Sequence, residues 1–110
     1  MSINRSDEYI LSLIYELIKL PNETEWLEFK HNKENPQIIG EYISALSNSA
    51  ALNGKTNAYM IWGIDDHTHK VLGTSFKPSV TKKGNEALEN WLLRLLESKI
   101  NFKFYEVNCC

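Results

Sequence analysis

The sequence predicts an α+β fold, a two-layer sandwich in which helices pack on one mixed β-sheet. Three observations predict it. Stretches with apolar residues at helical spacing alternate with short runs of strand length, in the order helix, strand, helix, strand, strand, helix, strand. One run, "AYMIWGI" (58–64), is apolar throughout, which marks a central strand covered on both faces. The breaks between segments carry Pro, Asn and Gly, as at Pro21-Asn22, Asn35-Pro36 and Asn53-Gly54.

Each element has its own local cause. Ser6 is a good N-cap, Asp7 and Glu8 suit the positive end of a helix, and Ile10, Leu13, Ile14 and Leu17 recur at helical spacing. "EWLEFK" follows, and a strand there sends Leu27 and Phe29 to the core and Trp26, Glu28 and Lys30 to the opposite face. Asn35 caps and Pro36 opens a second helix, striped by Ile39, Tyr42, Ile43, Leu46 and Ala50 and closed by Asn53-Gly54. After the central strand, "DDHTH" reads as a turn and "KVLG" as a short return strand. Residues 78–85 read as a basic loop. A third helix then turns Leu88, Trp91, Leu92 and Leu95 inward, and "FKFYEV" (102–107) reads as a last strand.

At 110 residues, with 43% hydrophobic and 24% charged residues, a single domain over 1–110 is expected. Because the chain stops just after a strand-like segment, it reads as the N-terminal part of a longer protein. No apolar run is long enough to span a membrane, and the N-terminus does not resemble a secretory signal. The two cysteines, Cys109 and Cys110, are adjacent and staple nothing, so a cytoplasmic protein is expected. A net charge of −2 is unlike a protein held to nucleic acid by its global field, so any such role needs a local basic patch. The sequence shows no Gly-rich phosphate loop, no usable Ser/His/Asp spacing and no setting for a nucleophilic cysteine.

The stretch "NETEWLEFK" (22–30) carries more like charge than a strand needs to fold. Glu23 and Glu28 lie at the start and middle of the predicted strand, and Asp65 and Asp66 follow the central strand. If the two strands are neighbours, these carboxylates meet at one sheet edge and repel one another, and a hard divalent cation relieves the repulsion. Such an ion with a bound water is a standard means of cutting phosphodiesters. The plain alternative is that acids at strand ends and in turns are solvated turn chemistry. His67 and His69 admit a transition metal or an exposed turn, and the turn is favoured. Lys55, Lys70, Lys77, Lys82 and Lys83 are candidates for a basic patch, and Trp26 for stacking on a base or packing under a helix.

"ETEWLEFK", "ISALSNSAALNG" and "MIWGIDDHTHKVLG", taken together, resemble the Schlafen-type AlbA_2 domain over roughly residues 22–76. The family's Glu, four residues on a Glu-Phe-Lys, is matched by Glu23, Glu28, Phe29 and Lys30. Its Ala-x-x-Asn helix signature is matched by Ala45 and Asn48. Its Ile-x-Gly-Ile/Val-x-Asp strand is matched by Ile61, Gly63, Ile64 and Asp66, with Gly73 in the return. Asn53-Gly54 stands where the family has two glycines, and His67-Thr68-His69 replaces the glycine expected after the aspartate.

The resemblance implies a DNA- or RNA-binding domain of a bacterial transcriptional regulator, with Lys30, Lys70, Lys77, Lys82 and Lys83 as candidate nucleic-acid contacts. It also implies an alternative. In animal Schlafen proteins, two glutamates and an aspartate make a metal-dependent endoribonuclease site, and Glu23, Glu28 and Asp66 match them as catalytic residues and as ligands of Mg²⁺ or Mn²⁺. No other cofactor is expected. A second alternative, from Phe102, Phe104 and Tyr105, is an oligomerisation module that forms a homodimer through its sheet edge.

Overall fold

Leu27 and Phe29 are fully buried, while Glu28 and Lys30 on the opposite face keep about a fifth of their side-chain surface in water. The period-2 pattern of the sequence is therefore realised in β1 (Leu27–Lys30). The computed structural model describes residues 5–20, 24–32, 35–97 and 99–108. Glu23, the Pro21-Asn22 stop and the two cysteines lie outside the described residues.

Helix α1 (Arg5–Ile18) is already under way at Arg5, before Ser6. Helix α2 (Pro36–Leu52) starts as expected, with Asn35 Oδ1 accepting the Ile38 N–H at 3.2 Å. It ends with Gly54 at φ +68°, a left-handed exit that favours glycine. Strand β2 (Tyr59–Trp62) pairs with β1 in parallel, Leu27 opposite Tyr59 and Lys30 opposite Trp62. Parallel neighbours need a long crossover, which α2 supplies.

Side chains alternate across this pair of strands. Leu27 and Phe29 cluster with Leu17 and Ile64, and Leu13, Ile18, Tyr59 and Ile61 pack against them. Trp62 belongs instead to a second cluster, built on Ile39, Phe76, Leu88 and Leu92. Helix α1 thus covers one side, while α2 and α3 (Leu88–Leu95) meet on the other. Gly40 lets these two helices approach closely, since a Cβ there would lie 3.3 Å from Leu92 Cδ2. The α+β class expected from the sequence is the class observed.

Six local features differ from expectation beyond the start of α1. Leu95, read as inward, is 53% exposed on α3. Strand β2, read as a central strand covered on both faces, is half-buried throughout and pairs along its length only with β1 among the described residues. Trp26 joins the Leu27 cluster instead of the opposite face, edge-on to Tyr59 with ring centroids 6.3 Å apart. "KVLG" contributes a single antiparallel bridge, Ile64 to Val71, instead of a strand. The basic segment is partly ordered: a 3₁₀ turn (Pro78–Val80) leads into a hairpin of β3 (Lys82–Lys83) and β4 (Glu86–Ala87). Residues 102–107 form no ladder among the described residues, because Phe102 and Phe104 are drawn sideways into the second cluster against Trp62 and Phe76. Glu106 pins the segment by accepting the Ser79 N–H at 3.0 Å. Among the described residues, no helix is long and apolar enough to cross a membrane.

Candidate nucleic-acid interface

On the face of β1 turned toward α2, Lys30 Nζ lies 3.4 Å from Glu28 Oε2 and 5.0 Å from the centre of the Tyr42 ring. Strand geometry puts Glu28 and Lys30 side by side, and the parallel crossover brings α2, with Tyr42, over them. Burial alone would lower the Lys30 pKa, but hydrogen bonding to Tyr42 and the charge of Glu28 outweigh it and hold the ammonium above the ordinary lysine value. The cation is therefore secure at any physiological pH.

Asp65 and Asp66, adjacent in sequence, behave differently. Asp65 Oδ1 accepts the backbone N–H groups of Thr68 at 2.7 Å and His67 at 2.8 Å. Those bonds hold its pKa below the ordinary aspartate value of 3.8. Asp65 is thus the acid that shapes the turn. Asp66 is half-exposed, with His67 Nε2 3.9 Å from its carboxylate.

The two histidines part company. His67 is almost wholly solvated, whereas His69, at φ +61°, turns its ring onto Phe29 (centroids 4.7 Å apart) and brings Nδ1 within 3.2 Å of the Ile18 carbonyl. The turn favoured from sequence is the one seen.

A depressed carboxylate pKa stabilises the turn above the unfolded value and loses that contribution as pH falls through the folded value. The His67 and Thr68 amide resonances should therefore move together on acidification, with a midpoint below 3.8, and Asp65→Asn should abolish the transition. A midpoint at or above that value would show that the two bonds do not form in solution.

The remaining candidate cations are distributed. Lys82 and Lys83 stand exposed on β3, and the turn that follows places Gly84 at φ +64°. Successive strand residues point to opposite sides, and Lys83 lies 5.9 Å from the Trp91 ring centre. Glu86, opposite Lys83 in the hairpin, is bound by Arg94 at 2.7 Å. Lys77 precedes the 3₁₀ turn, tied to the hairpin where the Thr81 hydroxyl donates to its carbonyl at 2.6 Å. Lys70 sits apart, at the end of the Asp65 turn, its carbonyl accepting the Asp65 N–H at 2.9 Å. Lys55, just past α2, lies 5.2 Å from the Trp26 ring centre.

The structure therefore joins Glu28 with Lys30, and ties the Lys77 backbone to Thr81, the residue before the Lys82-Lys83 strand. Asp66 and Lys70 share a separate turn. Among the described residues, no three His, Cys, Asp or Glu side chains form a group able to hold a metal ion. Sequence reasoning missed Tyr42, read only as part of an apolar stripe. The available signal was a phenol among aliphatic positions, because a buried tyrosine usually finds a polar partner for its hydroxyl.

A family model described as "Schlafen, AlbA_2" matches residues 23–110. No curated protein and no solved structure matches the chain.

Proposed function

The chain belongs to the Schlafen AlbA_2 family, and from that premise we propose that it is a nucleic-acid-binding domain of the kind found in bacterial transcriptional regulators. The observation that carries the reading is the β3–β4 hairpin. In a chain of net charge −2, it leaves Lys82 and Lys83 exposed on its two sides, a few residues after Lys77, while Arg94 occupies the nearby Glu86. A local cationic feature of this sort offsets phosphate charge where the overall field does not. Lys30 is the second contact, held on the sheet face beside Glu28, and Lys70 is the third.

The test is binding of labelled single-stranded DNA and of tRNA across a salt series. Exchanging Lys82 and Lys83 for alanine should weaken binding about tenfold or more at moderate salt. It should also flatten the dependence of log K on log salt by roughly 0.7–0.9 per lost contact. An unchanged slope would remove the hairpin from the interface.

The divalent-metal nuclease reading calls on Glu23, Glu28 and Asp66. The described carboxylates do not make that site by themselves: Glu28 is paired with Lys30, and no three described His, Cys, Asp or Glu side chains form a metal-holding group. The same RNA incubated with and without Mn²⁺ tests the reading, which requires cleavage that depends on the ion and disappears in Glu28→Ala. A homodimer is a separate proposal, supported by the half-exposed Tyr105 on a segment that has no ladder partner among the described residues. Sedimentation of the chain tests it.

A further inference from the structure

We propose that Tyr42 is a positioning residue for Lys30, fixing the place at which the ammonium is offered to a nucleic-acid phosphate. The inference rests on the nucleic-acid reading above and deepens it at one contact. A lysine side chain is long and samples many rotamers, so an unrestrained ammonium loses freedom when it binds. Lys30 is restrained before binding by partners on two separate elements, the Glu28 carboxylate on β1 at 3.4 Å and the Tyr42 ring on α2 at 5.0 Å.

These partners differ in what they do when a phosphate arrives. Glu28 is an anion, so it competes with phosphate for the ammonium and repels it. The face of an aromatic ring attracts a cation through its quadrupole and carries no net charge, so it holds Lys30 without opposing the incoming phosphate. Tyr42 can do this because it belongs to the inward stripe of α2 and is itself half-buried next to Ile43. The ring is therefore a fixed point on a packed helix.

The experiment uses the whole chain with a fluorescein-labelled single-stranded DNA. The variants are Lys30→Ala, Tyr42→Leu, Tyr42→Phe and the Lys30→Ala/Tyr42→Leu double variant, with thermal melts confirming that each is folded. Lys30→Ala and Tyr42→Leu should each weaken binding by about three- to tenfold, the scale of one phosphate contact. The double variant should be no weaker than Lys30→Ala alone, whereas Lys82→Ala combined with Tyr42→Leu should multiply. Tyr42→Phe keeps the ring face but loses the hydroxyl that hydrogen-bonds Lys30, so its loss should be clearly smaller than that of Tyr42→Leu without vanishing.

Multiplicative losses for Lys30 and Tyr42, or full affinity in Lys30→Ala or Tyr42→Leu, would overturn the proposal. In the unbound protein, the Lys30 ε-methylene protons should be shifted upfield by the Tyr42 ring current and return to ordinary values in Tyr42→Leu. A missing shift overturns the geometry whatever the binding result. A parent chain that shows the shift but binds no nucleic acid loses the functional reading, and the positioning role with it, and the intact geometry identifies which premise failed.

Discussion

Phe29→Ala should cost about 3–5 kcal/mol of folding stability, the usual scale for removing a buried phenyl group. A small domain holds roughly 5–15 kcal/mol in total, so the variant should populate unfolded chain near body temperature. Phe29 is completely buried at the centre of the Leu17, Leu27 and Ile64 cluster. It also supports the His69 ring, which ties the turn back to the end of α1. The loss should therefore spread beyond the core and loosen the turn that carries Asp65 and Asp66. Urea unfolding gives the stability, and the amide exchange of His67 and Thr68 gives the spread. Leu52→Ala is the control, because Leu52 is 88% exposed and its change should stay within about 0.5 kcal/mol. Equal midpoints for the two variants would mean that Phe29 is not core in solution.

Gly63→Ala is the second large effect, and its cause is backbone. Gly63 has φ +94°, a conformation that costs a residue with a Cβ about 1–3 kcal/mol. A Cβ built there would sit 3.0 Å from the carbonyl carbon of Gly73, a backbone atom held in place by the Gly73 N–H bond to Gly63 O at 3.0 Å. Overcrowding of this kind adds about 1–3 kcal/mol. Gly84→Ala separates the two causes, since Gly84 also has positive φ but nothing lies within 4 Å of its would-be Cβ. Gly63→Ala should lower the urea midpoint clearly more than Gly84→Ala. Similar losses would leave conformational cost alone and refute the crowding.

Much of the fold was legible because it depends on local chemistry. Asn35-Pro36 starts a helix here because an apolar helical stripe follows, a free N–H group is satisfied by the asparagine side chain, and proline has none to satisfy. Leu27 and Phe29 are inward because strand periodicity allows no other arrangement once one of them is. Residues 102–107 show the limit of this reasoning. Their alternation is that of a strand, yet a strand also needs a neighbour to share hydrogen bonds, and aromatic packing on Trp62 and Phe76 took the segment elsewhere. Trp26 departs from the alternation for a similar reason: it precedes the paired residues, so the period of the strand does not fix its face.

The candidate site divides along the same line. The amino-acid sequence alone determined which chemical groups are available: the Glu28-Lys30 pair two residues apart, the lysines of residues 77–83, the turn acids, and the match that assigns the family. Only the tertiary structure decided how they are used. It put Tyr42 beside Lys30, gave Asp65 to the turn while leaving Asp66 at its surface, and separated His69 from His67 by packing one ring on Phe29 and solvating the other. The physical reason is range. Caps, turns and alternation are set by residues within a few positions of one another, whereas a cation's neighbours are set by which helix the chain folds across it.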